Sequence, residues 1–176
     1  NGAMPGDVLQ VDILEVGLKQ DWGFSAILPN LGTLPEEFTN YQRSHTQIDI
    51  NEGVGYCAWG SEVDLDPFFG IMAVAPPAEW GAVGTPEPRA FGGNMDNKDL
   101  RAGTTLYLPV FNEGALFSAG DGHGKQGNGE VCITALETAL TGKFRLTVRK
   151  DFSVTMPYAE TEDWYMTMGF NMNLEE

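Results

Sequence analysis

The chain has 176 residues, of which 42% are hydrophobic, enough for one domain with a real core and too apolar for a disordered segment. Its 25 acidic and 10 basic residues give a net charge of −15, a surface that repels phosphate backbones and anionic lipids and so speaks against nucleic acid and membrane as partners. No apolar run approaches the roughly 20 residues of a spanning helix, and two cysteines, Cys57 and Cys132, make no disulfide framework, which points to a reducing, cytoplasmic setting.

After the turn signal Pro5-Gly6-Asp7, the residues Leu9, Val11 and Ile13 alternate with Gln10 and Asp12. That period of two predicts a strand with one wet and one dry face. Residues 32–60 are less regular: Pro35-Glu36-Glu37-Phe38 predicts a one-turn helix and residues 46–50 a strand. Residues 75–88 read as a long loop, either a lid or a solvated excursion. Leu106, Leu108 and Val110 alternate again, with Pro109 marking an edge or a strand end. The turn signal Asn112-Glu113-Gly114 follows. The glycine-dense run over residues 120–130 predicts a loop that feeds a strand, Val131-Cys132-Ile133-Thr134-Ala135. Beyond a turn at Leu140-Thr141-Gly142, Phe144, Leu146 and Val148 alternate most cleanly of all, with Lys143, Arg145, Thr147 and Arg149 between them. The tail over residues 164–170 is unusually apolar. With 22 glycines and 10 prolines there is little room for long helices. The expectation is an all-β sandwich or barrel with few short helices.

Glycine gives up the most backbone freedom on folding, so a run of it loaded with Asp121, His123 and Glu130 has to approach or aim at something. The run also has company. Pro5-Gly6-Asp7-Val8-Leu9, Pro67-Phe68-Phe69-Gly70-Ile71-Met72-Ala73-Val74-Ala75-Pro76, Gly92-Gly93-Asn94-Met95-Asp96, Leu108-Pro109-Val110 and Gly114-Ala115-Leu116-Phe117 stand before it in order. Together these blocks resemble the acetamidase/formamidase family, from Gly2 to about Tyr158. The resemblance implies a jelly-roll-like β-sandwich that hydrolyses a short linear amide, formamide or acetamide, to a carboxylic acid and ammonia. Family chains run further on both sides, with helix expected after Asn173-Leu174-Glu175-Glu176. Residues 1–176 are therefore expected to be one domain from the middle of a longer family chain. A homo-oligomer or a second chain would then supply missing segments, docking on the apolar tail. The alternative is a catalytically incomplete sandwich that binds a small molecule or a partner.

Residues two apart share a face in extended chain, which pairs Asn94 with Asp96, Asp121 with His123, and Glu130 with Cys132. Carboxylate and imidazole ligands suit zinc, which lowers the pKa of bound water to about 7 and polarises a carbonyl. On this scheme Asp121, His123 and Asp96 are metal ligands and Glu130 transfers protons to the leaving ammonia. Asn94 orients the substrate carbonyl. Other readings stand beside it. Asp and Asn next to glycine are ordinary turn-formers, and Asp96 can instead cap a turn through Lys98-Asp99-Leu100. A thiol mechanism from Cys132, Glu130 and Lys98 or Lys125 competes with a small buried core thiol. Ser118 near Asp121 and His123 suggests a triad without its Gly-x-Ser-x-Gly elbow. His45 reads as a surface or packing histidine, and Trp22, Phe24, Trp59 and Trp80 as core or rim aromatics.

Overall fold

In the computed structural model, which describes residues 2–171, alternation becomes strand nearly everywhere. The strands are β1 (Val8–Leu18), β2 (Trp22–Ile27), β3 (Gln42–Asp49), β4 (Val54–Cys57), β5 (Glu62–Asp64), β6 (Phe68–Ala73) and β7 (Gly92–Asn94). They continue with β8 (Thr105–Pro109), β9 (Ser118–Lys125), β10 (Leu136–Glu137), β11 (Leu140–Arg149), β12 (Tyr158–Glu160) and β13 (Tyr165–Thr167). They form two antiparallel sheets, one in the order β11-β1-β8-β12-β13 and the other β5-β4-β3-β2-β10-β9-β6-β7.

The two sheets pack as a β-sandwich. β1 runs between β11 and β8, with Val11 opposite both Leu146 and Leu106. Leu9, Val11, Ile13, Leu106 and Leu108 of this sheet share one buried cluster with Phe69, Met72 and Ala73 of the other. Full burial of such a side chain contributes about 1.5–3 kcal/mol, so the β1–β8 seam facing β6 holds the layers together. The rings of Phe69 and Phe144 meet across the layers at 5.6 Å. Pro109 closes β8 opposite Val8; it marks a strand end within a central strand, not an edge.

Several local expectations are corrected. The glycine run is a strand for most of its length, not a loop: β9 is hydrogen-bonded between β6 and β10. Two of its glycines, Gly122 and Gly124, answer to crowding. A Cβ on Gly122 would run into the carbonyl of Thr138, and one on Gly124 would lie 2.8 Å from Leu136 Cδ2. Residues 131–135 are not a strand. Ile133 N–H donates to Glu130 O at 3.0 Å, closing a turn with Ile133 at φ 63°, and only the two-residue β10 follows. Leu140-Thr141-Gly142 is no turn either; it pairs with Leu18, Gly17 and Val16 inside β11. Because β11 is an edge strand, Leu146 is 50% exposed despite its place in the alternation. Pro35-Glu36-Glu37-Phe38 makes a hydrogen-bonded turn on Leu34 O and goes no further. Helix among the described residues is limited to the 3₁₀ turn Ala78–Trp80, so none is long and apolar enough to cross a membrane. In the tail, Met166 and Met168 pack against the core while Trp164 and Tyr165 stay exposed at the edge. Residues 173–176 lie outside the described part.

Candidate metal centre

The centre is built on the face of the eight-stranded sheet opposite the one Phe69 uses. In the β6–β9 register Phe68 stands opposite His123 and Phe69 opposite Gly122; counting back places Gly70 beside Asp121. Alternation then puts Phe68, Gly70, Asp121 and His123 on one face. β10 adds Glu137, paired directly with His123. Asp96 arrives from a bulge after β7, where the N–H groups of Met95 and Asp96 both donate to Gly70 O, at 3.0 and 3.2 Å. Glu130 comes from the turn closed by Ile133. Asp96 and Asp121 both sit in the left-handed region, at φ 44° and 56°. Asp tolerates that conformation better than most residues, and such strain collects at functional sites.

His123 is 1% exposed, with its ring edge-on to Phe68 at 5.0 Å between centroids. Gln126 decides its tautomer. The Gln126 amide nitrogen donates to Asp96 O at 2.7 Å, a group that can only accept, so Gln126 Oε1 faces His123 Nδ1 at 3.0 Å. Nδ1 therefore carries the proton. In the neutral ring Nε2 is left with a lone pair, and it faces Asp121 Oδ2 at 3.3 Å, Glu137 Oε2 at 3.4 Å and Glu130 Oε1 at 3.7 Å. Ionised carboxylates are acceptors only. A proton or a metal cation is what reconciles these groups.

Charge leads to the same point. Ligand atoms of Asp96, Asp121 and His123 lie within 4.8 Å of one another, as do those of His123, Glu130 and Glu137. Two carboxylates about 4 Å apart repel by roughly 4 kcal/mol at an effective dielectric of about 20. Burial, then the charge of Glu130, pushes the Asp96 carboxyl well up, and burial also raises Glu130 and Glu137. The hydrogen bond from His123 holds Asp121 below its ordinary range. Burial works against the His123 imidazolium, but the Asp121 hydrogen bond and the surrounding carboxylates outweigh it and hold its pKa well above 6.5. Asp96 Oδ1 and Glu130 Oε1 are buried without a hydrogen-bond donor among the described residues. A buried acceptor in that state costs about 1–3 kcal/mol unless something pairs with it.

The structure thus brings Asp96, Asp121, His123 and Glu130 together, and adds Glu137, Gln126 and Gly70, which the sequence did not single out. Asn94 stands beside them with its amide on Asp96 Oδ2 at 2.7 Å and a long 3.4 Å contact to Pro86 O. Asp96 does not cap the following turn; Asn97 does, accepting from Asp99 N–H at 3.0 Å. Cys132 is half-buried on the turn after Glu130, with Thr134 Oγ1 3.6 Å from its sulfur, so neither a core strand nor an exposed elbow holds it. Lys98 is engaged by Asp99 at 2.8 Å. Ser118 is exposed at the start of β9, paired with Ala73. His45 is exposed on β3 beside Trp22. A cleft of about 360 Å³ opens at Asp96 and Gln126, walled by Met95, Asn97, Met168 and Phe170.

The profile of the Acetamidase/Formamidase family matches residues 78–167, which include Asp96, Asp121, His123, Glu130 and Glu137. A putative formamidase of Schizosaccharomyces pombe is 43% identical over an alignment covering 78% of this chain and 47% of its own length. The acetamidase of Mycolicibacterium smegmatis is 28% identical over 74% of this chain and 46% of its own. The crystal structure of an acetamidase from Bacillus halodurans superposes with a TM-score of 0.84 at 32% identity, covering 92% of this chain and 53% of that one. The chain spans about half the length of the curated relatives it matches. On the profile match, the sequence identity and the shared fold, the chain belongs to the acetamidase/formamidase family.

Proposed function

We propose that this chain carries the metal-binding and proton-handling centre of an amidohydrolase that cleaves a short linear amide, formamide or acetamide, to a carboxylic acid and ammonia. The observation that carries the reading is His123: a buried imidazole, its proton fixed on Nδ1, turns its other nitrogen to three carboxylates. Family membership and the cleft beside Asp96 support the same reading. Asp96, Asp121 and His123 would hold a divalent cation, with Glu130 and Glu137 facing the same nitrogen, and the mixed oxygen–nitrogen set suits zinc. Such a cation supplies Lewis acidity toward the amide carbonyl and lowers the pKa of water.

The protein's own groups do the rest. Glu130, raised by burial, holds a proton closer to neutral pH than an exposed glutamate does. It accepts the proton of the attacking water and delivers it to the amide nitrogen. The carbon gains the water oxygen, the C–N bond breaks and ammonia departs. Glu137 takes the Ala135 N–H at 2.9 Å and is the fixed member of the pair. Asn94 steadies Asp96, and its second N–H, held only by the long contact to Pro86, orients the substrate carbonyl. The sandwich and the Phe68 ring keep bulk water from His123.

Metal analysis of the purified protein, paired with ammonia release from formamide and acetamide, tests this. The wild-type protein should hold stoichiometric divalent metal, and His123→Ala should lose it. Glu130→Gln should keep the metal and lower ammonia release about 10²–10⁴-fold. Cys132→Ala should keep both. Parent-rate hydrolysis in Glu130→Gln would remove that residue from the proton path. Metal without any amide hydrolysis would make the chain a binding module, and wild-type protein that takes up no metal would reject the centre.

A further inference from the structure

Gly70 is the one residue of the cluster with no chemistry of its own. Its φ is not in the left-handed region, so the backbone does not call for glycine there. What calls for glycine is space. A Cβ built on Gly70 would lie 2.5 Å from Asp121 Oδ2, 2.6 Å from Asp96 Oδ1 and 2.9 Å from His123 Cε1. All three neighbours belong to the proposed ligands, and none is a backbone atom. Asp96 Oδ1 is also one of the two buried carboxylate oxygens without a donor. The same residue fixes where Asp96 sits, since Gly70 O accepts both N–H groups of the bulge.

We propose that Gly70 is a positioning residue of the metal centre: its missing side chain clears the room in which the Asp96 and Asp121 carboxylates converge and a cation reaches them. The inference rests on the reading of the cluster as a metal site. A single methyl group at residue 70 pushes both carboxylates off their present positions and fills the floor between them. Gly120 of the neighbouring strand β9, opposite Ile71, has open space around its Cβ position and supplies the control.

Zinc titration of the chelator-treated full chain, with thermal unfolding of the metal-free protein, tests it. Gly70→Ala should bind zinc roughly 10- to 100-fold more weakly than wild type, the range for residues that orient ligands. Gly120→Ala should bind as wild type does. Gly70→Ala should also melt lower without metal, and a second background separates ligand crowding from a general packing defect. Asp96 and Asp121 both have positive φ, so Asp96→Gly and Asp121→Gly fit the backbone while removing the two nearest atoms. In that double variant the added methyl meets His123 Cε1 alone, at 2.9 Å, so the melting penalty of Gly70→Ala should be clearly smaller than in the wild-type background. Wild-type zinc affinity in Gly70→Ala overturns the inference and leaves the metal reading standing. A melting penalty undiminished in the double-glycine background overturns it too, because the clash would then lie outside the two carboxylates. Absence of zinc uptake by the wild-type chain sinks the metal reading and this inference together.

Discussion

His123 owes its chemistry to an uncharged neighbour. Gln126 bridges the imidazole and the Asp96 carbonyl, fixing the tautomer and tying the bulge to the end of β9. In Gln126→Leu the Nδ1 proton is left buried without an acceptor, which costs about 1–3 kcal/mol. The ring loses its orientation, and zinc affinity should fall about 10- to 100-fold, as for other partners that orient a ligand histidine. Urea unfolding of the metal-free protein and a zinc titration check the two effects separately; unchanged zinc affinity would show that the ring is held by Phe68 packing alone. Part of this site was legible in the sequence. Asp121 and His123 stand two apart and share a face, Glu130 directly follows Gly129, and Asp96 shares the face of Asn94, which follows Gly93. The remainder was not. Glu137 has no glycine context and reaches His123 only through the pairing of the two-residue β10. Gln126 carries no charge to flag it, and Gly70 acts by having no side chain at all.

At the scale of elements, glycine in this chain serves packing as well as turning. Where β9 passes β10 and the residues after it, Gly122 and Gly124 permit an approach that a Cβ would block, so a run that looks like loop is a packed strand. Gly127 and Gly129, just past the strand, have open space around them and make up the loop proper. The two groups should respond differently to the same substitution. Gly122→Ala meets the Thr138 carbonyl and Leu140 Cγ and should destabilise by about 1–3 kcal/mol, the usual cost of overpacking. Gly127→Ala should stay within about 0.5 kcal/mol of wild type. Urea midpoints at constant m-value measure both, and equal midpoints would mean that β9 yields to the extra methyl. The opposite case is residues 131–135, where β-branched residues suggested a strand. Ile133 at φ 63° shows tertiary context overriding propensity, since the turn it makes carries Glu130 toward His123. Patterns with a simple period came through in β1 and β8, which bury one face against the other sheet, and in β11, where Phe144 and Val148 pack partly buried against the same cluster.

For the molecule as a whole, two electrostatic effects overlap and can be separated. A net charge of −15 spread over a small sandwich opposes compaction everywhere, while four carboxylates crowd a single imidazole in one place. Sodium chloride acts on the first. At 0.1 M the screening length is about 10 Å, so exposed like charges are relieved and the melting temperature of the metal-free protein should climb gradually with salt. Zinc acts on the second by binding the folded state. At about 100 times its dissociation constant a ligand adds roughly 2.7 kcal/mol, and a chain of this size gains about 2–4 °C per kcal/mol, so a rise of roughly 5–10 °C should saturate at zinc concentrations that change the ionic strength negligibly. A variant carrying both Asp96→Asn and Asp121→Asn keeps the backbone content, because Asn also accepts the left-handed region. It should retain the salt response and lose the zinc response, while relief of the crowding at Asp96 and loss of the Asp121–His123 pair act in opposite directions on its metal-free melting temperature. Calorimetric scans across a sodium chloride series and a zinc series decide it. A zinc effect that survives in the double variant would place the cation elsewhere on the acidic surface, and a metal-free melting temperature below wild type would mean that the two aspartates stabilise the fold even without a cation between them.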